Sequence, residues 1–335
     1  MTAKKHVRAA VLTLTMVLAV LPVSAAAQEL VAGGRAVGIQ MTTDGVVVAG
    51  VCQVETESGS ADPAGDAGLA AGDVITRLGK TEIHTSADFM QAVSALDGSP
   101  VSVTVSRNGE TKQFTITPAK AADGKLRQGL WLRDGVTGVG TLTFYDPETG
   151  VFGALGHGIT DTDTGVLLPL STGAVSDASI TGVEKSSDGK PGQLDGSADV
   201  NKICGSILMN TDYGIFGIMD GGRPDAGAME CGEVKPGKAT ILTTISGQTV
   251  GEYAANIDRV YHDADGDRVL ITVTDKTLLD KTGGIVQGMS GSPIIQDGRL
   301  VGAVTHVLVN DPAKGYGLSI QDMIAAAQAC ADKAA

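Results

Sequence analysis

Short apolar runs separated by glycine-rich polar turns make up most of the chain from about residue 130 onward. They include GVGTLTFYD, GVFGALGHGITD, CGSILMN, YGIFGIM and DRVLITVT. This pattern predicts β-strands joined by tight turns. No long helical pattern appears before IQDMIAAAQACADKAA at the C-terminus. We therefore predict a β-barrel or sandwich of about 200 residues, residues 121–335, for this part of the chain.

A smaller α+β pattern precedes it, over residues 28–120. VGIQM and GVVVAGVCQV are β-rich runs separated by TTDG, which predicts a hairpin, and RNGE predicts a second one. TSADFMQAVSAL has its apolar residues on one helical face, with Thr85 and Asp88 placed to form a capping box. The polar segment AKAADGKLRQG, residues 119–129, is expected to join the two units.

Residues 1–27 are predicted to be a signal peptide or an N-terminal membrane anchor. Lys4, Lys5 and Arg8 precede the apolar run AAVLTLTMVLAVLPV, and small residues follow in SAAAQEL. A basic end, an apolar middle and a small-residue site are typical of a signal peptide, with cleavage expected before Gln28. The run is also near the lower length limit for a single membrane span. In either case the remaining chain is expected to work outside the cytoplasmic membrane.

Composition narrows the class of function. The 335 residues carry a net charge of −13, and no basic cluster follows the N-terminus, which argues against a nucleic-acid partner. Aromatic residues make up only 3%, which argues against a carbohydrate-binding β protein with stacked aromatic side chains. The four cysteines lie far apart, so no zinc or redox site is predicted. Cys204 and Cys231 could pair in an exported protein, or all four cysteines could remain thiols.

The segment GMSGSP, residues 288–293, is the strongest candidate for chemistry. Serine becomes a nucleophile when a base takes its proton and N–H groups receive the oxyanion. Glycines on both sides of Ser290 allow a sharp turn, and the N–H groups of Gly288 and Ser290 are expected to form the oxyanion hole. Ser292 is the weaker nucleophile candidate because Pro293 constrains its backbone. The following IIQDGRLVGAV predicts a hairpin that holds this loop.

The best candidate for the base is His157. It lies between glycines in GALGHGITD, directly after an apolar strand, whereas His262 lies in a polar acidic loop. His306 lies in the apolar VGAVTHVLV, where a core histidine is the ordinary expectation.

A carboxylate is also needed to orient the imidazole. Asp275 is favoured because the strand VLITVTD leads straight to it, with Asp280 and Asp161 as alternatives. Asp161 is so close to His157 in sequence that a local turn contact is its more natural use. No cluster of residues suggests a metal or an organic cofactor, and this chemistry needs none.

The first unit resembles a PDZ domain. AGLAAGDVITRLGKTEI matches that family's A-G-L-x-x-G-D-x-I pattern, and SADFMQAV corresponds to its groove helix. A PDZ groove adds an extended peptide to a sheet edge. The resemblance places this edge in AVGIQM, at Val37, Gly38, Ile39 and Gln40, although the loop departs from the family's commoner Gly-Leu-Gly-Phe text.

The whole chain resembles the stage IV sporulation protein B peptidases. The resemblance rests on FGALGHGITD, on TDKTLLDKTGGIVQGMSGSPIIQDGRLVGAVTHVLVNDPAKGYG and on the PDZ unit upstream. It implies a mainly β fold, in which a small α+β PDZ-like domain precedes a chymotrypsin-like double β-barrel. It also implies a catalytic set of His157, Asp275 and Ser290. By analogy with that fold, Thr305 and His306 are expected to bind the substrate.

The resemblance further implies a serine endopeptidase exported into the space between the two forespore membranes. Such a protein would cleave itself and regulators of a membrane-embedded protease, in a checkpoint that leads to processing of a late sigma-factor precursor. The PDZ groove could hold the protein's own N-terminal segment or present a membrane-associated target. The alternative function is a catalytically inactive scaffold outside the cytoplasmic membrane, with the PDZ unit as its working surface.

Overall fold

The computed structural model describes residues 28–221, 226–263 and 266–334. The predicted signal segment, residues 1–27, lies outside them. In the described part no helix has the length and apolar character needed to cross a membrane. The four helices of this part are α1 (Pro63–Ala67), α2 (Ser86–Ser94), α3 (Lys276–Thr282) and α4 (Ile320–Ala334).

The remaining regular structure is β. In chain order the strands are β1 (Glu29–Ala32), β2 (Ala36–Val51), β3 (Val54–Thr56), β4 (Gly59–Ala61), β5 (Val74–Leu78), β6 (Thr81–Glu82), β7 (Val101–Arg107), β8 (Glu110–Ile116), β9 (Ala119–Lys120), β10 (Leu126–Arg127), β11 (Leu130–Tyr145), β12 (Val151–Ala154), β13 (Leu170–Glu184), β14 (Gln193–Thr211), β15 (Gly214–Met219), β16 (Ala228–Glu230), β17 (Gly237–Thr243), β18 (Gly251–Asp263), β19 (Gly266–Val273), β20 (Pro293–Gln296), β21 (Arg299–Val307) and β22 (Lys314–Ser319).

Two six-stranded barrels form the larger part of the molecule. In the first barrel β2 pairs with β11, and the ring continues through β12, β15, β14 and β13 back to β2. In the second barrel β17 pairs with β18, and the ring continues through β19, β22, β21 and β20 back to β17. If the strands of each barrel are counted one to six, both rings follow the order 1-2-3-6-5-4. The predicted chymotrypsin-like double barrel is confirmed.

Aliphatic side chains fill both barrels. The core of the second barrel is built on fully buried branched residues such as Ile241, Ile257, Ile271 and Ile294. The first barrel has its own cluster of buried residues, which includes Phe152. Burial of such side chains stabilises each barrel by about 1.5–3 kcal/mol per residue. Helix α4, predicted from its sequence pattern, packs on β12, β15 and β21 and so joins the two barrels.

Strand β2 serves both the first barrel and the PDZ unit. Its first part pairs with β11 and β13, and its second part pairs with β5 and the start of β11. The hairpin predicted at TTDG is therefore wrong. The chain continues straight through this segment, and Gly45 supplies a left-handed position in it, with φ of +98°. The first half of β2 is a strand of the first barrel, and β1 pairs with β11 at the edge of that barrel, so the N-terminal part of the predicted first unit also contributes to the peptidase domain.

The PDZ unit otherwise follows the prediction. Helix α2 begins after the N-cap Thr85, whose side chain forms the predicted capping box with Asp88. The RNGE hairpin joins β7 to β8, with Asn108 and Gly109 both at positive φ. Phe89 and Val93 of α2 pack into a buried core with β5 and β7. Leu130 and Leu132, at the start of β11, cover the same core.

Candidate active site

The loop that carries Ser290 is fixed by the backbone. Gly288 and Gly291 have φ of +97° and +92°, so the chain turns sharply on both sides of the serine. Gly291 N–H donates to Val304 O at 2.7 Å, and Ser292 N–H donates to Met289 O at 2.9 Å. Because Met289 and Ser292 are fully buried, the loop rests directly on the second barrel.

Gly291 also brings the two barrels together. A Cβ at this position would lie 2.2 Å from Thr141 O and 2.4 Å from Leu155 N, so only glycine fits. Thr141, on β11 of the first barrel, donates its N–H to Ser290 O at 3.0 Å and its hydroxyl to Gly288 O at 2.8 Å. The serine loop is therefore held from both sides of the interface.

The predicted oxyanion donors are available. Among the described residues, the N–H groups of Gly288 and Ser290 have no hydrogen-bond acceptor. Two such N–H groups, two residues apart in a sharp turn, are the kind of donors that stabilise a developing oxyanion.

Ser290 and Ser292 differ in environment. Ser290 is half-buried and donates its hydroxyl to Thr305 O at 2.6 Å. Ser292 is fully buried, and its hydroxyl oxygen has no partner within the described part of the chain. Of the two, Ser290 lines a cavity at the barrel interface, which makes it the better candidate nucleophile.

His157 follows β12 of the first barrel. Leu155 and Gly156 both have left-handed backbones, with φ of +71° and +69°, and these two residues turn the chain so that the histidine follows directly. His157 Nδ1–H donates to Gly158 O at 2.8 Å, because a carbonyl can only accept. The hydrogen bond leaves Nε2 without a proton and able to act as a base.

A second histidine lies against the first. The rings of His157 and His306 have centroids 4.6 Å apart and an interplanar angle of 34°. Burial lowers the pKa of His157 below its usual value, against a smaller upward effect of the hydrogen bond to Gly158. Loss of hydration, followed by the neighbouring His157 and the positive charge of Arg268, lowers the pKa of His306 to about 4. Both rings are therefore neutral at pH 7.

The segment after His157 folds into a short hairpin-like loop, residues 157–168, which we call the histidine loop. Asn210 of β14 clamps its base: the amide oxygen accepts Ile159 N–H at 2.8 Å, and the amide nitrogen donates to Ile159 O at 2.8 Å and Leu168 O at 2.9 Å. At the tip, Asp161 pairs with Arg133 of β11. Sequence reasoning missed both Asn210 and Arg133, because neither stands in a motif.

His157 and Ser290 line one cavity of about 470 Å³ at the junction of the barrels. The predicted substrate residues Thr305 and His306 line it as well, so the structure places all four together. A larger space of about 940 Å³ shares His157, Thr305 and His306 with it. Its lining includes Asp212, Tyr213, Tyr261, Asp263, Arg268 and Tyr316.

Asp275 forms no hydrogen bond with His157 among the described residues. Its carboxylate accepts Leu278 N–H at 3.0 Å as the N-cap of α3, and it is absent from the lining of both cavities. Asp280 is exposed on the same helix. Asp161 organises the turn of the histidine loop, as its sequence position indicated. Within the described residues His157 is oriented by the Gly158 carbonyl, so the assignment of Asp275 as the orienting acid does not hold in this structure.

The predicted PDZ edge at Val37, Gly38, Ile39 and Gln40 is also wrong. These residues are paired on both sides, with β11 and with β13, so no peptide strand can be added there. The open edge lies at Leu130–Arg133 instead. This segment pairs only with β2 among the described strands and runs beside α2, which makes it the groove strand of the PDZ unit.

The cysteines are thiols. The structure describes all four as free: Cys204 lies in the core of the first barrel, and Cys231 is half-buried elsewhere. Burial raises the pKa of Cys231 to about 11, so this thiol is protonated at neutral pH. The disulfide considered for these two residues is not formed.

Two protein-family models match the sequence of this chain. Residues 124–324, more than half of the chain, match the model of the SpoIVB peptidase S55 family, and residues 36–117 match a PDZ domain. The chain belongs to the SpoIVB peptidase family. It is therefore a PDZ-containing serine peptidase by family, and the match covers the histidine loop and the serine loop. No curated protein sequence matches the chain.

Solved structures of the Rv3671c protease from M. tuberculosis are similar in part. The inactive form is 14% identical, with a TM-score of 0.35 over 57% of this chain and 84% of that one. The active form is 16% identical, with a TM-score of 0.34 over 58% of this chain and 74% of that one.

Proposed function

We propose that this SpoIVB-family protein is an endopeptidase in which Ser290 is the nucleophile and His157 is the base. The observation that carries the proposal is the cavity at the barrel junction, because it brings these two residues from separate barrels to one surface. The N–H groups of Gly288 and Ser290, unpaired within the described residues, supply the oxyanion hole that acyl transfer requires.

The chemistry follows from these groups. The Ser290 hydroxyl leaves Thr305 O and turns toward His157 Nε2, which takes its proton as the oxygen attacks the peptide carbonyl. Gly288 and Ser290 stabilise the tetrahedral oxyanion, and the imidazolium returns the proton to the leaving amine. Water then attacks the acyl-enzyme in the same way. The Gly158 carbonyl keeps the imidazole in the required tautomer, as a carboxylate does in other triads.

The biological role is proposed from the family. We infer that the chain acts after export, in the space between the forespore membranes, where it cleaves itself and regulators of a membrane-embedded protease that processes a late sigma factor. The basic and apolar N-terminal segment supports export. The PDZ unit supports recognition of a protein substrate. By the same reasoning, Thr305 and His306 contact the substrate next to the scissile bond.

A fluorophosphonate probe tests the nucleophile directly. Wild type, Ser290→Ala and Ser292→Ala are treated with the probe, and the site of labelling is read by peptide mass. We expect labelling of Ser290 in wild type and in Ser292→Ala, and none in Ser290→Ala. Ser292 is a matched control two residues away. If the wild type does not react, the inactive scaffold becomes the better interpretation of the chain.

A further inference from the structure

Arg133 stands where β11 leaves the PDZ unit and enters the first barrel. Its guanidinium contacts three side chains at the tip of the histidine loop. Nη1 lies 2.5 Å from Asp161 Oδ2 and donates to Thr162 Oγ1 at 3.1 Å, while Nη2 donates to Asp163 Oδ2 at 2.8 Å. Forked contacts of this kind fix orientation as well as distance.

Asp161 organises the tip of the loop. Its side chain is 0% exposed, and Oδ1 accepts the N–H of Asp163 at 3.1 Å together with the N–H and hydroxyl of Thr164 at 2.9 and 3.0 Å. Burial raises the pKa of Asp161, but these hydrogen bonds and the charge of Arg133 outweigh it, so the pKa is lowered. A buried carboxylate needs such a partner, and Arg133 is the only cation paired with it among the described residues.

The tip is connected to His157 by a short ladder. Thr160 and Leu167 form a β-bridge, and Leu168 N–H donates to Ile159 O at 3.0 Å. His157 lies only two residues before this ladder. A change in the position of the tip is therefore transmitted through a few backbone hydrogen bonds to the histidine.

The residues on either side of Arg133 belong to the PDZ groove. Asp134 Oδ2 accepts Ser86 N–H at 2.6 Å, at the N-terminus of α2. Leu132 packs on the PDZ core, and the outer edge of Leu130–Arg133 has no strand partner in the described part of the chain. One short strand therefore contacts the groove helix, the PDZ core and the histidine loop.

We propose that Arg133 is a positioning residue that links the groove strand of the PDZ unit to the catalytic histidine loop. The proposal rests on the proposed function in so far as His157 is the base. An extended peptide that adds to the open edge of Leu130–Arg133 acts on the strand that carries this guanidinium, so occupation of the groove is transmitted to His157. The PDZ unit is then part of the catalytic scaffold and not only a docking module.

A double-mutant cycle on the full chain tests the link. Arg133→Ala removes the cation, whereas Asp161→Asn keeps an oxygen acceptor for the turn and removes the negative charge. Both single variants and the double variant are compared with wild type for kcat, for KM and for amide exchange of residues 157–168. Arg127→Ala is the matched control, since Arg127 pairs with Asp123 in an exposed i,i+4 contact and has no ion pair with the histidine loop among the described residues.

We expect Arg133→Ala to lower kcat about tenfold or more with KM changed less than about threefold, because the loss concerns positioning rather than binding. Arg133→Lys should restore part of kcat. Exchange of residues 157–168 should rise while β7 and β8 stay protected. The double variant should be no worse than the poorer single variant, as expected for residues that act as a pair.

The proposal is overturned if Arg133→Ala matches Arg127→Ala in both kcat and loop exchange, or if the effects of the two single variants simply add. Asp161→Asn keeps the test valid if Arg133→Ala does not fold. The exchange measurement is repeated with Arg133→Ala introduced into the Ser290→Ala protein, because this measurement does not depend on activity. Faster exchange of residues 157–168 than in Ser290→Ala alone supports the link even if the proposed peptidase function fails. Unchanged exchange refutes the link by itself.

Discussion

The serine loop of the second barrel and the histidine loop of the first barrel are fixed by different kinds of contact. Ser290 lies in a turn held by backbone hydrogen bonds and by the fully buried Met289 and Ser292. His157 lies at the base of a loop that has a short backbone ladder of its own but is anchored to the rest of the first barrel by side chains, through Asn210 at one end and Arg133 at the other. Backbone geometry comes with the fold, whereas side-chain contacts can be exchanged. The position of Ser290 is therefore fixed by the fold itself, whereas the position of His157 depends on a few side-chain contacts.

The PDZ unit is connected to the barrel that carries His157. Both barrels are closed, but among the described strands only those of the first barrel, β2 and β11, are shared with the PDZ unit. We therefore expect a ligand of the PDZ unit to affect the position of His157 more than the position of Ser290. Substitutions in the two loops separate these roles, and the expected effects decrease from His157 to Asp275.

The largest effect is expected for loss of the base. His157→Ala should lower kcat about 10⁴-fold or more, since a serine without a base is a poor nucleophile. The neighbouring His306→Phe keeps an aromatic ring and serves as control, with a much smaller loss. Both variants are assayed on one cleavable peptide. Equal losses in the two variants would contradict the assignment of His157 as base.

The second-largest effect is expected for a substitution in the turn that carries Ser290. Gly291→Ala should destabilise the protein by about 3 kcal/mol or more, because the added Cβ meets backbone atoms on both sides of a strained turn. Gly298→Ala, also at positive φ but with open space around it, should cost about 1 kcal/mol. Urea unfolding of both variants measures the difference. Similar losses would mean that the junction of the two barrels is loosely packed around Gly291.

The clamp of the histidine loop should have an intermediate effect. Asn210→Ala removes three hydrogen bonds to Ile159 and Leu168, with an expected loss of about 2 kcal/mol in unfolding free energy. It should also lower kcat while fluorophosphonate still labels Ser290 at a reduced rate. Asn256→Ala, an exposed amide bonded to Asp258, is the control. An unchanged kcat in Asn210→Ala would show that the loop needs no clamp.

The pH dependence tests the burial of the base. His157 must be neutral to act, and its pKa is lowered by burial, so kcat/KM should rise with pH through an inflection below 6.5. The free energy of unfolding should change with pH in the same direction. Because His157 binds a proton more readily in the unfolded chain than in the folded one, its contribution to stability is full above pH 6.5 and is lost as the pH falls through the folded pKa. An inflection above 6.5 would mean that a negative charge, and not the Gly158 carbonyl, faces the imidazole.

The smallest effect on activity is expected at Asp275. Asp275→Ala should cost about 1 kcal/mol of stability, the usual value of an N-cap, with kcat changed less than about twofold. Thr85→Ala removes the N-cap of α2 and is the matched control. If Asp275→Ala instead lowers kcat about a hundredfold or more while Thr85→Ala does not, Asp275 is restored as the orienting acid.

Local chemistry made much of this molecule predictable from sequence. Glycines around Ser290, the capping box at Thr85 and the RNGE hairpin each depend on neighbouring residues, and the structure has all three. The role of β2 was not predictable in this way. TTDG is a good turn sequence, but pairing of β2 with the distant β11 keeps the strand extended through it.

The two errors at the site have different causes. Asp275 follows a strand and looks ready to orient a histidine, yet a local contact with Leu278 N–H satisfies it. Val37 to Gln40 match a groove strand in sequence, but their edges are taken by strands that lie far away in the chain. Long-range pairing decides the second case, and local patterns in one sequence contain no signal for it. The N-cap of α3 decides the first, and Asp275 before a short helical segment that ends at Gly283 is a local signal that sequence reasoning missed.

Self-cleavage tests the central claim most directly. The full chain is incubated as wild type, Ser290→Ala and His157→Ala, and each is followed by intact mass. We predict fragments from the wild type only, because the nucleophile and the base from the two barrels are both required. Identical fragments from all three proteins would contradict this claim, and so would fragments from Ser290→Ala alone.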